Sequence, residues 1–366
     1  MVKVAIIGAG VSGLACALTL EKHGIVPDVF EQLHRPGGVT PSIQTILQVI
    51  HRPAEDPLRD LAGRFGITLT PINTVRKIVM VGPNRVAAAR GRLGYIFERG
   101  HSRTSLDCEL YGRLSRAMVR FNAGVGYQEL AGEYDRVVVA TGSPFLAMAA
   151  GRYHGILRTW ARGAVVEGSF DPHALIVWFD KSYANNGFAY LAPFCARKAS
   201  LILEASDRRE EEVEPAWRRF LEKEKLAYRE EETFLREHNV GICCPRQTGN
   251  LLFVGLAAGL LDYTLGFGLY NAVVSGVVAA RCIAGGSSYE AGIRDTLAKS
   301  YYTYLARLAL NRMDNDDLDK MLEVVGQPWV NRLVYNTGLD VVNVLGKVLE
   351  HGQPGPLREQ FRAPAT

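Results

Sequence analysis

The stretch Val2–Glu31 leaves this chain little choice of fold. An apolar run, Val4–Ile7, feeds the turn Gly8-Ala9-Gly10-Val11-Ser12-Gly13. A helical pattern follows, with Leu14, Ala17, Leu18 and Leu20 on one side, and Gly24 stops it. A second apolar run, Ile25–Phe30, ends on Glu31 and Gln32. Strand, glycine turn, helix and strand in this order form the fingerprint of a dinucleotide site. Gly8 permits the tight turn, Gly10 lets backbone approach a pyrophosphate, and Gly13 lets helix and strand pack closely. Val11 and Ser12 open the helix, whose free N–H groups and positive dipole end suit phosphate. Glu31 lies where a carboxylate accepts hydrogen bonds from the adenosine ribose, which favours an unphosphorylated ribose.

A chain of 366 residues can bury a large core and divide into two domains. Its 48% hydrophobic and 22% charged residues are ordinary for a globular protein, and a net charge of +4 is too small to argue for nucleic acid. None of the six cysteines forms a CxxC pair, so neither a zinc site nor a dithiol motif is expected. The adjacent Cys243 and Cys244 read as redox-active or as two small buried residues. The nucleotide fingerprint starts at residue 2, which leaves no room for a signal peptide and makes the cytoplasm the expected compartment. Leu251–Ala280 is nearly all apolar, but five glycines divide it into a strand, a loop and a helix, not a membrane span.

Along the rest of the chain, Gly37 and Gly38 give either a close backbone approach to a ligand or a plain turn. Residues 41–69 read as helical and mixed, with Leu58, Leu61, Ala62 and Phe65 as an apolar stripe. Thr74–Val81, Val86–Ala89 and Leu93–Glu98 read as antiparallel strands around the Gly82-Pro83-Asn84 turn. A helical pattern starts near Ser105 and runs toward Arg120, within an arginine-rich segment of solvated charge with one or two phosphate ligands. Asp135–Ser143 is a buried parallel strand whose Thr141-Gly142 end lies at the ligand-binding edge of an open α/β sheet. Strand signals return at Gly163–Val166, Leu175–Phe179, Phe188–Ala192 and Ala199–Leu203. Asp207–Glu237 reads as one charged helix with Trp217, Phe220, Leu221 and Leu226 inside. Leu251–Gly255 is a strand and glycine turn, and Leu269–Ile283 an apolar helix. The remainder is helical, and its apolar piece Val330–Leu349 covers the site, rests on a membrane or packs as an ordinary helix.

These motifs, in this order, resemble the geranylgeranyl reductase family, within the flavoproteins of the p-hydroxybenzoate hydroxylase fold. Arg103-Thr104-Ser105-Leu106-Asp107 is similar to the group's Arg-x-x-Phe-Asp element. Gly187–Pro193 is similar to the reductases' Tyr-x-Trp-x-Phe-Pro signature, with Phe188, Tyr190 and Ala192 at its aromatic positions. Leu252–Gly259 followed by Gly266-Phe267-Gly268 resembles the Gly-Asp-Ala-Ala-Gly block. The resemblance implies an α/β fold with a discontinuous Rossmann-type FAD-binding domain (1–40, 99–150 and 243–285). Into it is inserted an antiparallel-sheet substrate or cap domain (41–98 and 151–242), and a helical region (286–366) closes the chain.

The same resemblance implies FAD held by Gly8, Gly10, Val11, Ser12, Gly13, Glu31, Gln32, Gly37, Gly38, Arg103, Thr141, Gly142, Gly255, Leu256, Gly266 and Gly268. Leu256 replaces the aspartate that in the family contacts the flavin ribitol. Either FAD binds without that hydrogen bond or the site is altered or empty. Reduced flavin would deliver hydride to an isoprenoid double bond, in a slot lined by Phe188, Tyr190 and Phe194. Cys195 reads as a proton donor or a buried structural thiol. With one GxGxxG in the chain, the electron donor is NAD(P)H docking transiently or a redox protein. The expected substrate is an apolar small molecule or lipid, with peripheral membrane contact and no metal. Three functions fit: a prenyl reductase; a monooxygenase, desaturase or amine oxidase of the same fold; and a flavin-fold binding protein without catalysis.

Overall fold

The computed structural model describes residues 2–37, 41–100, 102–286, 288–352 and 355–362. Two sheets carry the chain. The first has the order β13 (Gln247–Thr248), β14 (Leu251–Phe253), β7 (Arg136–Val139), β1 (Val4–Ile7), β2 (Asp28–Phe30) and β6 (Met118–Arg120). All its pairings are parallel except β13 with β14. Every side chain of β1 is buried, as expected of a parallel strand covered on both faces. The helix Val11–Lys22 packs on this sheet and against the helix Leu269–Ile283. Their backbones approach so closely that a Cβ on Gly276 would lie 2.2 Å from the Ser12 carbonyl oxygen.

The second sheet has the order β12 (Arg229–Cys243), β8 (Tyr153–Glu167), β11 (Lys198–Ser206), β10 (Phe188–Pro193), β9 (Ala174–Trp178), β4 (Asn73–Val81), β5 (Val86–Arg99) and β3 (Ser42–Leu47). Only β4 with β9 is parallel. The helix Val213–Lys223 covers one face, burying Trp217 and Phe220 against Trp160, Leu201 and Leu203. The opposite face of β8, β10, β11 and β12 is turned toward the first sheet. After Ser288 the described chain is helical, and the helix Arg294–Arg312 runs back to the junction of the two sheets. The molecule is thus α/β, with a Rossmann-type sheet, a mostly antiparallel second sheet and a helical C-terminal region, as the sequence implied.

Four expectations need correction. Residues 42–47 are strand β3, not helix, because Ile43, Ile46 and Leu47 are buried where the segment pairs with β5. Only Pro57–Phe65 is helical there, capped by Asp56, with Leu61 and Phe65 buried and Ala62 exposed. Val86–Ala89 and Leu93–Glu98 are one strand, bent at Gly91 and Gly94 with φ of +146° and +154°. The helix after Ser105 ends at Tyr111, and Met118–Arg120 is strand β6. The charged segment 207–237 is not one helix: Val213–Lys223 is helical, and Arg229 begins the edge strand β12. Its charges reach water from a strand whose one free edge is blunted by them. Among the described residues no helix is long and apolar enough to cross a membrane.

Candidate functional site

Between the two sheets lies a cleft of about 830 Å³. One end is made of backbone. Gly8 has φ +106°, and a Cβ there would lie 2.5 Å from the Ala140 carbonyl oxygen. A Cβ on Gly13 would lie 2.0 Å from the Gly8 carbonyl oxygen, so Gly13 sets helix-to-turn packing from behind the cleft. Gly10 is different: nothing lies within 4 Å of where its Cβ would be, and the space belongs to the cleft. Val11 and Ser12, at the helix start, line the same space.

Glu31 is buried, and both its oxygens hold backbone. Oε2 accepts from Ala9 N–H at 2.8 Å and Oε1 from Leu33 N–H at 2.9 Å. These charge-assisted bonds fix the carboxylate and leave each oxygen a lone pair for a ligand hydroxyl. Gln32, Gly37, Thr141 and Gly142 complete this end, and Gly142 (φ +64°) again has nothing near its Cβ position. Gly38 lies outside the described residues.

The arginine at this end of the cleft is Arg99, not Arg103. Arg99 closes β5 and makes a two-point ion pair with fully buried Asp107, at 2.6 and 2.8 Å. It also donates to Gln44 Oε1 at 2.7 Å. Arg103 is exposed on the turn beyond and is absent from the cleft lining. The expected motif thus contributes its aspartate, and the guanidinium comes from four residues upstream.

At the opposite end, Leu256, Gly266 and Gly268 line the cleft with Leu260, Leu261 and Phe267. Gly255 (φ +58°) sits behind them: its N–H donates to Ser275 Oγ at 2.9 Å, and a Cβ would meet Ser12 Oγ at 2.8 Å. Asp262 folds the loop by accepting from Thr264 and Leu265 N–H groups at 3.1 and 2.9 Å. Arg307, from the C-terminal region, clamps it. Its Nε donates to the Tyr263 carbonyl at 2.9 Å, Nη1 to the Asn186 carbonyl at 2.8 Å and Nη2 to the Thr264 carbonyl.

The second sheet supplies the wall. Phe188 and Tyr190 of β10 face the cleft; Phe194 does not, and packs with the cluster around Leu175 and Ala192. Cys195 is exposed and off the cleft, so it is neither buried nor placed as a proton donor. Sequence reasoning missed the residues that register brings together. Arg236 pairs with Ala161, Ala161 with Glu204 and Glu204 with Phe188, in one row across four strands. A parallel row joins His238, Thr159 and Ser206, whose hydroxyls lie 2.7 Å apart in the latter two. Phe234 lies over Gly163, in the row of Ile202 and Tyr190. The alternation Phe234-x-Arg236-x-His238 was the available signal, hidden by assigning the segment to a helix.

Burial sets the protonation here. It pushes Glu204 up to about 7, against the nearby charges of Arg236 and Arg307. It lowers His238 to about 4, with help from Arg236. Burial, and then the charge of Glu204, raises Tyr190 well above the usual phenol range. Among the described residues no cluster of His, Cys, Asp and Glu could hold a metal ion.

Residues 6–55 match the NAD(P)-binding Rossmann-like domain family. Over nearly its whole length the chain is similar to a geranylgeranyl bacteriochlorophyll reductase-like protein from Thermoplasma acidophilum. The TM-score is 0.75 at 18% identity, covering 98% of each chain. It is also similar to the flavin-dependent brominase Bmp2, with TM-score 0.66 at 15% identity over 96% of this chain and 98% of that one. A third likeness is to the flavin-dependent monooxygenase PieE in complex with FAD and substrate. There the TM-score is 0.59 at 14% identity, over 96% of this chain and 72% of that one. The chain shares the fold of these proteins, a Rossmann-type sheet joined to a second sheet.

Proposed function

We propose that this protein is an FAD-dependent oxidoreductase that reduces carbon–carbon double bonds of an isoprenoid or lipid with hydride from reduced flavin. The observation that carries the reading is a cleft that joins the glycine-turn end to a largely apolar wall of Leu157, Phe188, Ile202, Leu261 and Phe267. The residues fit FAD. Gly10, Gly142 and Gly266 leave open the places where side chains would stand, and Glu31 is fixed facing the cleft. Leu256 offers the ribitol no carboxylate, which costs about 1–3 kcal/mol of binding and leaves the rest of the site intact. Bound FAD supplies hydride; the chain binds the nucleotide, excludes water and orients the substrate.

NAD(P)H or a redox protein is the proposed electron donor. Trp329, Leu333, Val344, Leu345 and Val348 are exposed on the helices Pro328–Tyr335 and Val341–Gly352, which supports peripheral contact with a lipid surface on the cytoplasmic side. A second reading, oxygen-dependent hydroxylation or related oxidation, draws support from the polar side chains Arg236, Glu204 and His238, which line the same wall from two neighbouring cross-strand rows. A flavin-fold binding protein without catalysis is the reading that Leu256 favours. The purified protein, with FAD added, should show flavin absorption bands. Reduced anaerobically with dithionite, it should convert geranylgeraniol or its diphosphate to a product with two more hydrogens. Absence of any flavin signal on FAD titration overturns the whole reading. Oxygen uptake coupled to substrate, with no saturated product, selects the hydroxylase, and a flavin that no substrate reoxidises selects the binding protein.

A further inference from the structure

Glu204 places a carboxyl oxygen in the wall of the cleft that no hydrogen bond of the fold uses. It stands near the C-terminal end of β11 on the face turned to the cleft, while its neighbours Leu203 and Ala205 face the covering helix. Its Oε2 is buried and has no hydrogen-bond partner among the described residues. Leaving a buried carboxyl oxygen unmatched is costly, so its persistence needs a cause outside the folded chain's own contacts.

The surroundings leave Oε2 unpaired. Ala161 separates Glu204 from Arg236 in the cross-strand row, and two strand spacings put their backbones about 10 Å apart. Arg236 instead lies over the Phe234 ring at 5.6 Å. Arg307 is committed to three carbonyls. Of the other titratable groups on this wall, Tyr190 is on β10 and His238 on β12, while Glu237 at the rim is ion-paired with Arg158 at 2.6 Å. β8 contributes Ala161 and Thr159 and no titratable side chain to these rows. The alanine gap beside Glu204 opens on the same side as Phe188 and Ile202, where an apolar substrate would lie.

We propose that Glu204 is the proton donor of the reduction described above, an assignment that rests on that reading. The two electrons and one hydrogen arrive as hydride from reduced flavin at one alkene carbon. Glu204 gives its proton to the adjacent carbon as the π bond breaks. Two C–H bonds form, the flavin is left oxidised, and the Glu204 carboxylate regains a proton from water. Dithionite or NAD(P)H then restores the flavin. Burial holds Glu204 protonated to about pH 7, which keeps the donor loaded near neutrality.

The test has two arms, on full-length protein. Infrared titration of the wild type without substrate should show a carboxylic C=O band that disappears with a midpoint near pH 7 and is absent from E204Q. No such band above pH 6 overturns the proposal. In the second arm, FAD-loaded enzyme reduced by dithionite is mixed anaerobically with geranylgeraniol. E204Q should be reduced by dithionite as fast as wild type but reoxidised by the alkene at least about 100-fold more slowly, and Glu204→Asp should recover part of the rate. Wild-type reoxidation should fall as pH rises through about 7. An E204Q rate equal to wild type overturns the donor assignment while the reductase reading stands. A wild type that reduces no prenyl substrate, with the infrared band present, overturns the reductase reading and the donor assignment together.

Discussion

The two ends of the cleft are built from different materials. At the nucleotide end, shape comes from backbone: Gly8 is pressed against Ala140, Gly13 against Gly8, and Gly10 is left open. Even Glu31 spends its oxygens on backbone N–H groups before any ligand arrives. At the sheet end, the lining comes from side chains aligned by register, with Arg236, Ala161, Glu204 and Phe188 contributed by four strands. A backbone site tolerates no added atom where it is packed, and a register site is defined by which side chains share a row. The first kind is written in consecutive residues. The second exists only after strands far apart in the chain have paired.

The pair Arg99–Asp107 ties the two together, since Arg99 ends a strand of the second sheet and Asp107 lies against Gly37 of the nucleotide end. Arg99→Ala should have the largest effect, a loss of about 3–5 kcal/mol, because it strands a buried carboxylate without its partner. Urea denaturation measures it. Wild-type stability in this variant would mean that the two ends are joined by packing alone.

The sheet end should also betray itself in the pH dependence of stability. Glu204 has a folded-state pKa raised from the usual 4.5 to about 7, so the folded protein holds this proton more tightly than the unfolded chain. Its stabilising contribution is complete below about pH 4.5 and is lost as pH rises through 7. E204Q should therefore gain on wild type by up to about 3 kcal/mol between pH 5 and pH 8. Buried His51 and His238, lowered to about 3 and 4, act in the opposite sense, weakening the fold as pH falls below 6.5. Both remain in the variant, so the difference between the two proteins isolates Glu204. Parallel stability curves for E204Q and wild type would show that Glu204 is solvated and the sheet end is no preformed site.

At the nucleotide end the contrast is within one motif. Gly13→Ala should cost about 1–3 kcal/mol of stability, because its Cβ would meet the Gly8 carbonyl, a backbone atom that cannot swing aside. Gly10→Ala should leave urea stability unchanged, since its Cβ meets nothing within 4 Å. It should weaken FAD binding instead, about tenfold, by filling ligand space, which corresponds to about 1.4 kcal/mol. If Gly10→Ala destabilises the protein as much as Gly13→Ala, the division between packed and open glycines fails.

The same division explains what the sequence made legible. The interior strands β1, β7 and β14 and the helix Leu269–Ile283 carry their periodicity and burial in their own residues, and local reading finds them. The segments it missed or took for helix, β3, β6 and β12, all lie at the margins of the two sheets. An edge strand keeps only one partner and shows water one side, so its composition looks like a solvated helix. Assigning β12 to the helix Val213–Lys223 removed Phe234, Arg236 and His238 from the cleft, and with them the row that defines Glu204. The glycine positions of the nucleotide end were readable because a single loop dictates them. Phe188 and Tyr190 were readable from a motif, but Phe194 was not separable from them without knowing that β10 ends at Pro193, leaving Phe194 partly buried and off the cleft.

The smallest predicted effect is the most direct check on motif transfer. Arg103 occupies the motif position for a cofactor arginine, yet it is exposed on a turn and stands outside the cleft. Arg103→Ala should change stability by less than about 0.5 kcal/mol, as surface substitutions do, and leave FAD affinity at the wild-type value. The matched comparison is Arg99→Ala under identical conditions, with fluorescence titration of FAD as the common measurement. A motif fixes the spacing of residues along a chain, but the last turn of β5 decides which guanidinium reaches Asp107. Loss of FAD affinity in Arg103→Ala, with Arg99→Ala unchanged, would restore the motif's assignment and place the Arg99 pair outside the ligand site.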